Sequence, residues 1–394
     1  MTLSEFLISI ADKALSEPRR FIQPGCNGPY NDYETPVRNY GHWLITFSKC
    51  FELTGDKVYL EKIEQLAEYL ISNDARPHGF SFHHRSKEGK DKCNGLVGQA
   101  WTFEALTYAS SILVDQKYAE LAEEVFFQHH FNVEYGLWNR LEIEGNILSI
   151  DNTFNHQLWF ASCAALLDTP RRKEILGKVI QFIECLPQNV SVLDSGLIYH
   201  PIERNINQDD SNPSSKSKFR GILKSLLFFS SRLKGQSKDN NKEFNEKIIH
   251  KSVGYHQFNM YAFAALQESL PDHYFWKSSE IKKSVNFMLS NEFKNGLLNN
   301  IYGFSYNPPG FEVPYALSVL GNLNKNELVE ISSLWVNEQI KRCYNTKTNM
   351  MDRNTNDYLT HTARIYELTR LPISILNMIE INRKSLGNFA QFID

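Results

Sequence analysis

Ile150-Asp151-Asn152-Thr153-Phe154-Asn155-His156-Gln157-Leu158-Trp159-Phe160-Ala161-Ser162-Cys163-Ala164-Ala165-Leu166 sets a carboxylate, amides and an imidazole within a few residues of one another. It then runs straight into an apolar helix, Leu158 to Leu167. A polar cluster at the mouth of a buried helix is the form a site takes on a rigid element. Upstream, Gly136-Leu137-Trp138 opens a strand-like pair that ends at Asp151. Downstream, an outer helix is expected over about Arg171–Cys185.

The same unit recurs on both sides, an apolar inner helix followed by a half-solvated outer one. Apolar positions at helical spacing predict a first helix over residues 2–17, closed by Pro18. Pro36 suits the first turn of an inner helix reaching Leu53. Thr54-Gly55-Asp56 breaks it, and an amphipathic partner follows over about Lys57–Ile71. A Gly79-Phe80-Ser81-Phe82 extended stretch precedes the inner helix Gly95–Leu113 and its partner Gln116–Gln128. Gly196-Leu197-Ile198-Tyr199 opens a fourth unit, where the period stretches. Gln208 to Lys218 reads as an exposed loop, 219–233 as an extra helix and Gly235 to Glu246 as a polar linker. The inner helix resumes at Tyr255, with a partner over about Trp276–Leu289. Unit five has Phe311–Leu320 and Glu327–Ile340. Unit six runs from Asp357 to Thr369, with a closing helix over about 371–384.

Six helical hairpins predict an all-α fold, an (α/α)6 toroid with short β-hairpin inserts at its mouth. The expected organisation is one domain over 1–394 with an insertion at about 205–250. An open superhelix of hairpins is the competing topology.

Composition narrows the function. Of 394 residues, 42% are hydrophobic and 13% aromatic, which favours a packed globular chain over a disordered one. Basic residues (42) nearly balance acidic ones (45), and with no basic run nucleic-acid binding has no electrostatic support. Six scattered cysteines without a CxxC argue against a zinc cluster or a disulfide framework. No basic n-region or transmembrane-length run appears, so a cytoplasmic protein with reduced thiols and no membrane partner is expected.

In a closed ring the inner-helix mouths converge. They would gather Asp32, Glu34, Arg38, His42 and Trp43 from unit one. Unit two adds His84, Arg85, Asn94, Gln99 and Trp101, and unit three Asp151, Asn155, His156 and Trp159. His200, Tyr255 and His256 come from unit four, Tyr302, Tyr306 and Glu312 from unit five, and Asp352, Asp357 and His361 from unit six. Amides, imidazoles, arginines and aromatic faces in one pocket suit a polyhydroxylated ligand. Each has a structural alternative. Asp32, Asp151 and Asp357 are also good helix N-caps. His42, His156, His256 and His361 are also what repeat inheritance would leave at helix starts. No HxH or HExxH spacing calls for a metal, and no cofactor is expected. Apolar Ile150 and Phe154 beside Asp151 would desolvate its carboxyl and raise its pKa, as a general acid requires. Glu34, Asp352 and Glu312 are the candidates for a second carboxylate.

The Ile150-Asp151-Asn152-x-x-Asn155-x-x-Leu158 window resembles the stretch carrying the catalytic aspartate of the unsaturated glucuronyl hydrolases, within the six-hairpin glycosidase group. Trp43-Leu44 through Phe51-Glu52-Leu53-Thr54-Gly55-Asp56-x-x-Tyr59 resembles that family's first hairpin. Gly98-Gln99-Ala100-Trp101 is similar to a helix start that lies after the aspartate there and before it here. The family's second aspartate has no counterpart at Pro77-His78-Gly79-Phe80. The resemblance implies Asp151 protonating the C4=C5 bond of an unsaturated uronic acid. Toroidal uronate lyases, with an Asn-His pair like Asn155-His156 and a tyrosine such as Tyr255 or Tyr306, are relatives by shape. So are sugar 2-epimerases, with paired histidines that His256 and His361 would supply. The reading is a glycoside hydrolase acting on a uronic-acid-containing oligosaccharide, with a lyase, an epimerase or a non-catalytic glycan-binding toroid as alternatives. Asp151, Asn155 and His156 would carry the chemistry. Arg38 or Arg85 would clamp a carboxylate, and Trp43, Trp101 and Trp159 would stack sugar rings.

Overall fold

The computed structural model describes residues 1–202 and 238–382. Its helices are α1 (Leu3–Ser16), α2 (Pro36–Thr54), α3 (Lys57–Leu70), α4 (Gly95–Leu113), α5 (Lys117–Gln128) and α6 (Phe154–Ala164). They continue with α7 (Arg172–Asn189), α8 (Lys238–Ser269), α9 (Ser279–Leu289), α10 (Pro309–Leu320), α11 (Lys325–Cys343) and α12 (Tyr358–Ala363). Local chemistry places the breaks. α2 begins at Pro36, ends at Gly55 in the left-handed region (φ 70°), and Asp56 caps α3 through the Val58 amide.

The ring closes. Inner helices α2, α4, α6, α8 and α10 each pack on the next. α10 then packs on the 3-10 segment Arg364–Arg370 that continues α12, and this segment packs back on α2. The expected (α/α)6 toroid is therefore the fold, and the open superhelix is excluded. The inner helices are buried nearly all round: in α4 a continuous run from Gly95 to Leu106 is shielded from solvent. The ring axis is filled below its mouth. His42 stacks on Tyr366 with ring centres 4.1 Å apart, and Arg370 donates to Glu104 Oε1 at 2.7 Å across the ring.

The sixth outer position is taken by α1, not by a C-terminal helix. Phe6 meets Tyr344 behind α11, and Tyr59 of α3 hydrogen-bonds Asp12. The Leu3 amide donates to Ile379 O at 2.9 Å, and Thr2 bridges Glu380. Of the closing helix expected over 371–384, the described residues, which reach 382, form a single turn, Ile373–Leu376. The linker expected over Gly235–Glu246 is helical from Lys238 onward, which lengthens α8 at its start. The loop at 208–218 and the extra helix at 219–233 lie outside the described residues. Among the described residues one β-insert forms, a three-stranded antiparallel sheet of Phe131–Asn132, Leu137–Leu141 and Ile147–Ile150, delivering the chain to Asp151. The stretch at 79–82 turns and bends without forming a strand.

Candidate active site

The mouth of the ring holds a cavity of about 200 Å³, small beside the roughly 300–1,000 Å³ of drug-sized pockets. Its polar walls come from several units. The loop before α2 gives Asn27, Tyr30 and Asp32, and the loop before α4 gives Arg85, Lys90 and Asn94. Thr153, Asn155 and His156 come from the start of α6, and His200 from the following loop. Lys251, Tyr255 and Phe258 line it from one face of α8; Tyr306 and Asn307 precede α10, and Arg364 follows α12.

His156 is half-buried in this wall, and its Nδ1 lies 2.8 Å from Asp151 Oδ2. Asp151 itself stands behind the imidazole, only 5% exposed. Its Oδ2 also accepts from the Leu96 amide at the N-terminus of α4 (3.1 Å), and its Oδ1 from the Thr153 amide (3.2 Å). Burial pushes this carboxyl up, but His156, Arg140 and the Leu96 amide outweigh it and hold it down to about 2. The raised pKa expected of Asp151 is thus reversed. The residue is an ionised carboxylate, fixed by the positive end of a helix and by an imidazole. A carboxylate only accepts, so His156 donates from Nδ1, and Nε2 is the ring nitrogen left outside that bond.

Gly95 makes room for this pair. Its φ is +61°, and a Cβ there would stand 2.6 Å from both Asp151 Oδ2 and His156 Nδ1. Both the backbone conformation and the space demand glycine.

A second group faces the cavity. Tyr30 and Tyr255 share a hydroxyl–hydroxyl hydrogen bond of 2.8 Å, and Tyr306 donates to Asn27 Oδ1 at 2.8 Å. Burial raises the pKa of Tyr30, Tyr255 and Tyr306, so all three keep their protons at neutral pH. His200 is buried against Tyr255, its Nδ1 without a partner among the described residues, and desolvation and Lys251 keep it neutral. Asn155 Oδ1 is also buried and, among the described residues, without a partner.

Of the residues expected at the site, His156, Asn155, Asp32, Arg85, Asn94, Trp101, His200, Tyr255 and Tyr306 line the cavity, and Asp151 backs it. The others hold the ring together. Gln99 pairs with both the amide and carbonyl of Phe82 and reaches Cys93 O, latching the preceding loop onto α4. Gln157 does the same with Trp138 and Asp151 O on α6. His256 repeats the role on α8, accepting from the Ile198 amide and donating to Ser284 O. His361 sits between Met351 O and the Gln339 side chain. Desolvation pulls both histidines down to about 4. The expected catalytic pair His256–His361 is therefore a pair of latches facing away from the cavity. His156 precedes the latch residue of its own helix by one position, and so faces inward.

The remaining expectations fail for similar reasons. Glu34 and Arg38 form a buried ion pair at 2.9 Å, and Arg38 also lies over Trp101 and donates to His42 Nε2 at 3.2 Å. Trp43 donates to Phe21 O and Trp159 to Phe258 O, both within the core. His84 bonds Thr102 Oγ1. Glu312 is bound to Arg364, and Asp352 accepts from Thr348. Asp357 is a cap, accepting from Thr360 and also from the Cys26 and Gly28 amides of the first unit. Asp32, by contrast, is no cap: it accepts from Arg85 at 3.1 Å and Lys90 at 2.6 Å, with Lys87 at 3.0 Å.

Sequence reasoning missed Tyr30, Lys90, Arg364 and Lys251. The last fell between the linker expected over Gly235–Glu246 and the helix expected to resume at Tyr255. Once α8 is extended backward, Lys251, Tyr255 and Phe258 fall at i, i+4 and i+7 on one face, a pattern that the sequence does carry.

No protein-family model matches the chain. Archaeal glycosylation protein Q of Haloferax volcanii is 38% identical over 375 residues, covering 94% of this chain and 97% of that protein. Solved structures share the fold at low identity. An alpha-1,6-mannanase from Salegentibacter sp. HEL1_6 superposes with a TM-score of 0.54 at 14% identity, over 95% of this chain and 100% of that one. The cellobiose 2-epimerase of Bacillus thermoamylovorans B4167 gives 0.58 at 11%, over 91% and 98%. A D-mannose isomerase gives 0.56 at 10%, over 93% and 97%.

Proposed function

The chain belongs to the family of archaeal glycosylation protein Q, and from that premise we propose that it is a carbohydrate-active enzyme. It moves a proton at a carbon of a sugar or oligosaccharide, with His156 as the base. The observation that carries this reading is the Asp151–His156 pair at the cavity wall. An imidazole held in one tautomer by a buried carboxylate is a general base suited to neutral pH. The hydroxyls of Tyr255 and Tyr30 retain their protons and are placed to return one to the sugar.

Ordinary glycoside hydrolysis, expected from the sequence, needs two carboxyl groups at the substrate. Among the described residues lining the cavity, Asp32 is the only carboxylate, and three cations engage it. That observation favours an epimerase, isomerase or lyase over a hydrolase. The resemblance of the Asp151 window to unsaturated glucuronyl hydrolases supports a uronic acid as the sugar.

The test is incubation with candidate uronates and oligosaccharides in deuterated water, followed by NMR. Deuterium entering a ring C–H supports proton abstraction; an epimer identifies an epimerase and a new ultraviolet-absorbing C4=C5 bond a lyase. New reducing ends without deuterium uptake at carbon would return the reading to hydrolysis. Exchange that persists in His156→Ala would remove His156 as the base.

A further inference from the structure

Among the described residues four Lys and Arg side chains line the cavity, and three of them are already matched. Arg85 is shared by Asp32 and Asp91, Lys90 is bound to Asp32, and Arg364 to Glu312 and Glu367. Lys251 is the exception: among the described residues it makes no ion pair and no hydrogen bond. Its ammonium instead lies 5.3, 5.6 and 5.8 Å from the ring centres of Tyr30, Tyr255 and Tyr302. Aromatic faces tolerate a cation but supply no counter-charge.

An ammonium drawn from water without a partner is costly, and the site gains if a ligand brings the missing anion. Burial and the neighbouring Lys90 both act against the charge, which lowers the pKa of Lys251. The helix fixes where that anion must sit. Lys251 is one turn before Tyr255 on the cavity face of α8, beside the tyrosine hydroxyls offered above as proton donors.

We propose that Lys251 binds an anionic group on the sugar and thereby sets the enzyme's preference for acidic over neutral sugars. The inference rests on the reading of the cavity as a sugar site but not on the role given to His156. A carboxylate and a phosphate ester share the chemistry that an ammonium recognises. If the group is a carboxylate next to the reacting carbon, Lys251 also stabilises the negative charge that develops on it as the proton leaves.

The experiment measures binding of D-glucuronate, D-glucose 6-phosphate and D-glucose by ligand-observed NMR and calorimetry. It compares the wild-type chain with Lys251→Met, Lys251→Arg and His156→Ala. The wild-type chain should bind an acidic sugar roughly tenfold or more over glucose, as one charge-assisted contact provides. Tighter binding of the phosphate would assign the anion to a phosphate ester, and of glucuronate to a carboxylate. Lys251→Met should bring acidic and neutral sugars level, and Lys251→Arg should restore part of the difference. Without ligand, Lys251→Met should unfold at the same or a higher temperature, since an unmatched charge has gone. His156→Ala should keep the preference even as it loses exchange into deuterated water, so the two readings fail separately. Equal binding of glucose and both anions by the wild-type chain, or a preference that survives in Lys251→Met, would overturn the proposal.

Discussion

Asp151 reaches the cavity only through His156, the two joined at 2.8 Å between Oδ2 and Nδ1. Asp151→Asn should therefore leave the cavity intact but free the imidazole to adopt the other tautomer. Turnover should fall by about 10²–10⁴, the range for a general base, with little change in KM. The same carboxylate marks acid stability. Its folded pKa of about 2 lies below its ordinary 3.8, so its contribution is present above pH 3.8 and is lost as pH falls toward 2. Thermal unfolding between those pH values should be less pH-dependent in Asp151→Asn than in wild type.

Gly95 offers a test that replaces neither partner. In Gly95→Ala the new Cβ strikes the carboxylate and the imidazole together, in a backbone conformation that side chains avoid. Strain at such a position is of order 1–3 kcal/mol. Stability by denaturant titration should fall by about that amount, and turnover should drop with it even though both functional side chains remain.

Arg364 holds two buried acids, Glu312 and Glu367, on one guanidinium. Desolvation, opposed by Arg364, raises Glu367 from 4.5 to about 7 and raises Glu312 well above its ordinary value. A carboxyl whose folded pKa is raised favours the fold below its unfolded pKa and loses that contribution as pH climbs through the folded one. Relative to wild type, Glu367→Gln should lose less stability between pH 4.5 and 7, since an amide oxygen still accepts from Arg364. Arg364→Met should cost roughly 3–5 kcal/mol at neutral pH, because it strands two buried acids. Chemical denaturation across pH measures both.

His256 provides a control for the latch interpretation. His256→Gln puts the residue of α4 and α6 into the same role on α8, and should retain activity within a small factor. His256→Ala leaves the Ile198 amide without its imidazole acceptor and removes the side-chain donor to Ser284 O, and should cost about 1–3 kcal/mol. Loss of turnover in a well-folded His256→Gln would make His256 catalytic after all.

Helix periodicity and Gly-marked turns made the toroid legible, because inner helices such as α4 are apolar nearly all round and outer ones such as α3 on a single face. The site was only half legible. A histidine at a helix start looks the same in sequence whether it latches a loop, as His256 does, or lines the cavity, as His156 does. A single residue of register separates the two, and only packing reveals it. The sign of the Asp151 shift was hidden for a related reason. Ile150 and Phe154 beside it in sequence are apolar, and of the groups that hold it charged His156 lies nearby in the chain, whereas Arg140 and the Leu96 amide come from other elements. Lys251 was lost with the start of α8, where charged residues spaced for a helix read as a linker.

The seam between α1 and the Ile379–Glu380 segment has a mechanical consequence. A hoop carries load only while every stave is in place, so the first helix along the chain is also the one that locks its last described segment. Parting that seam, for instance by deleting the first sixteen residues, should loosen the far wall holding Arg364 as readily as the wall it touches. The whole circle should then give way as one body rather than fraying from an end as a linear stack of repeats does.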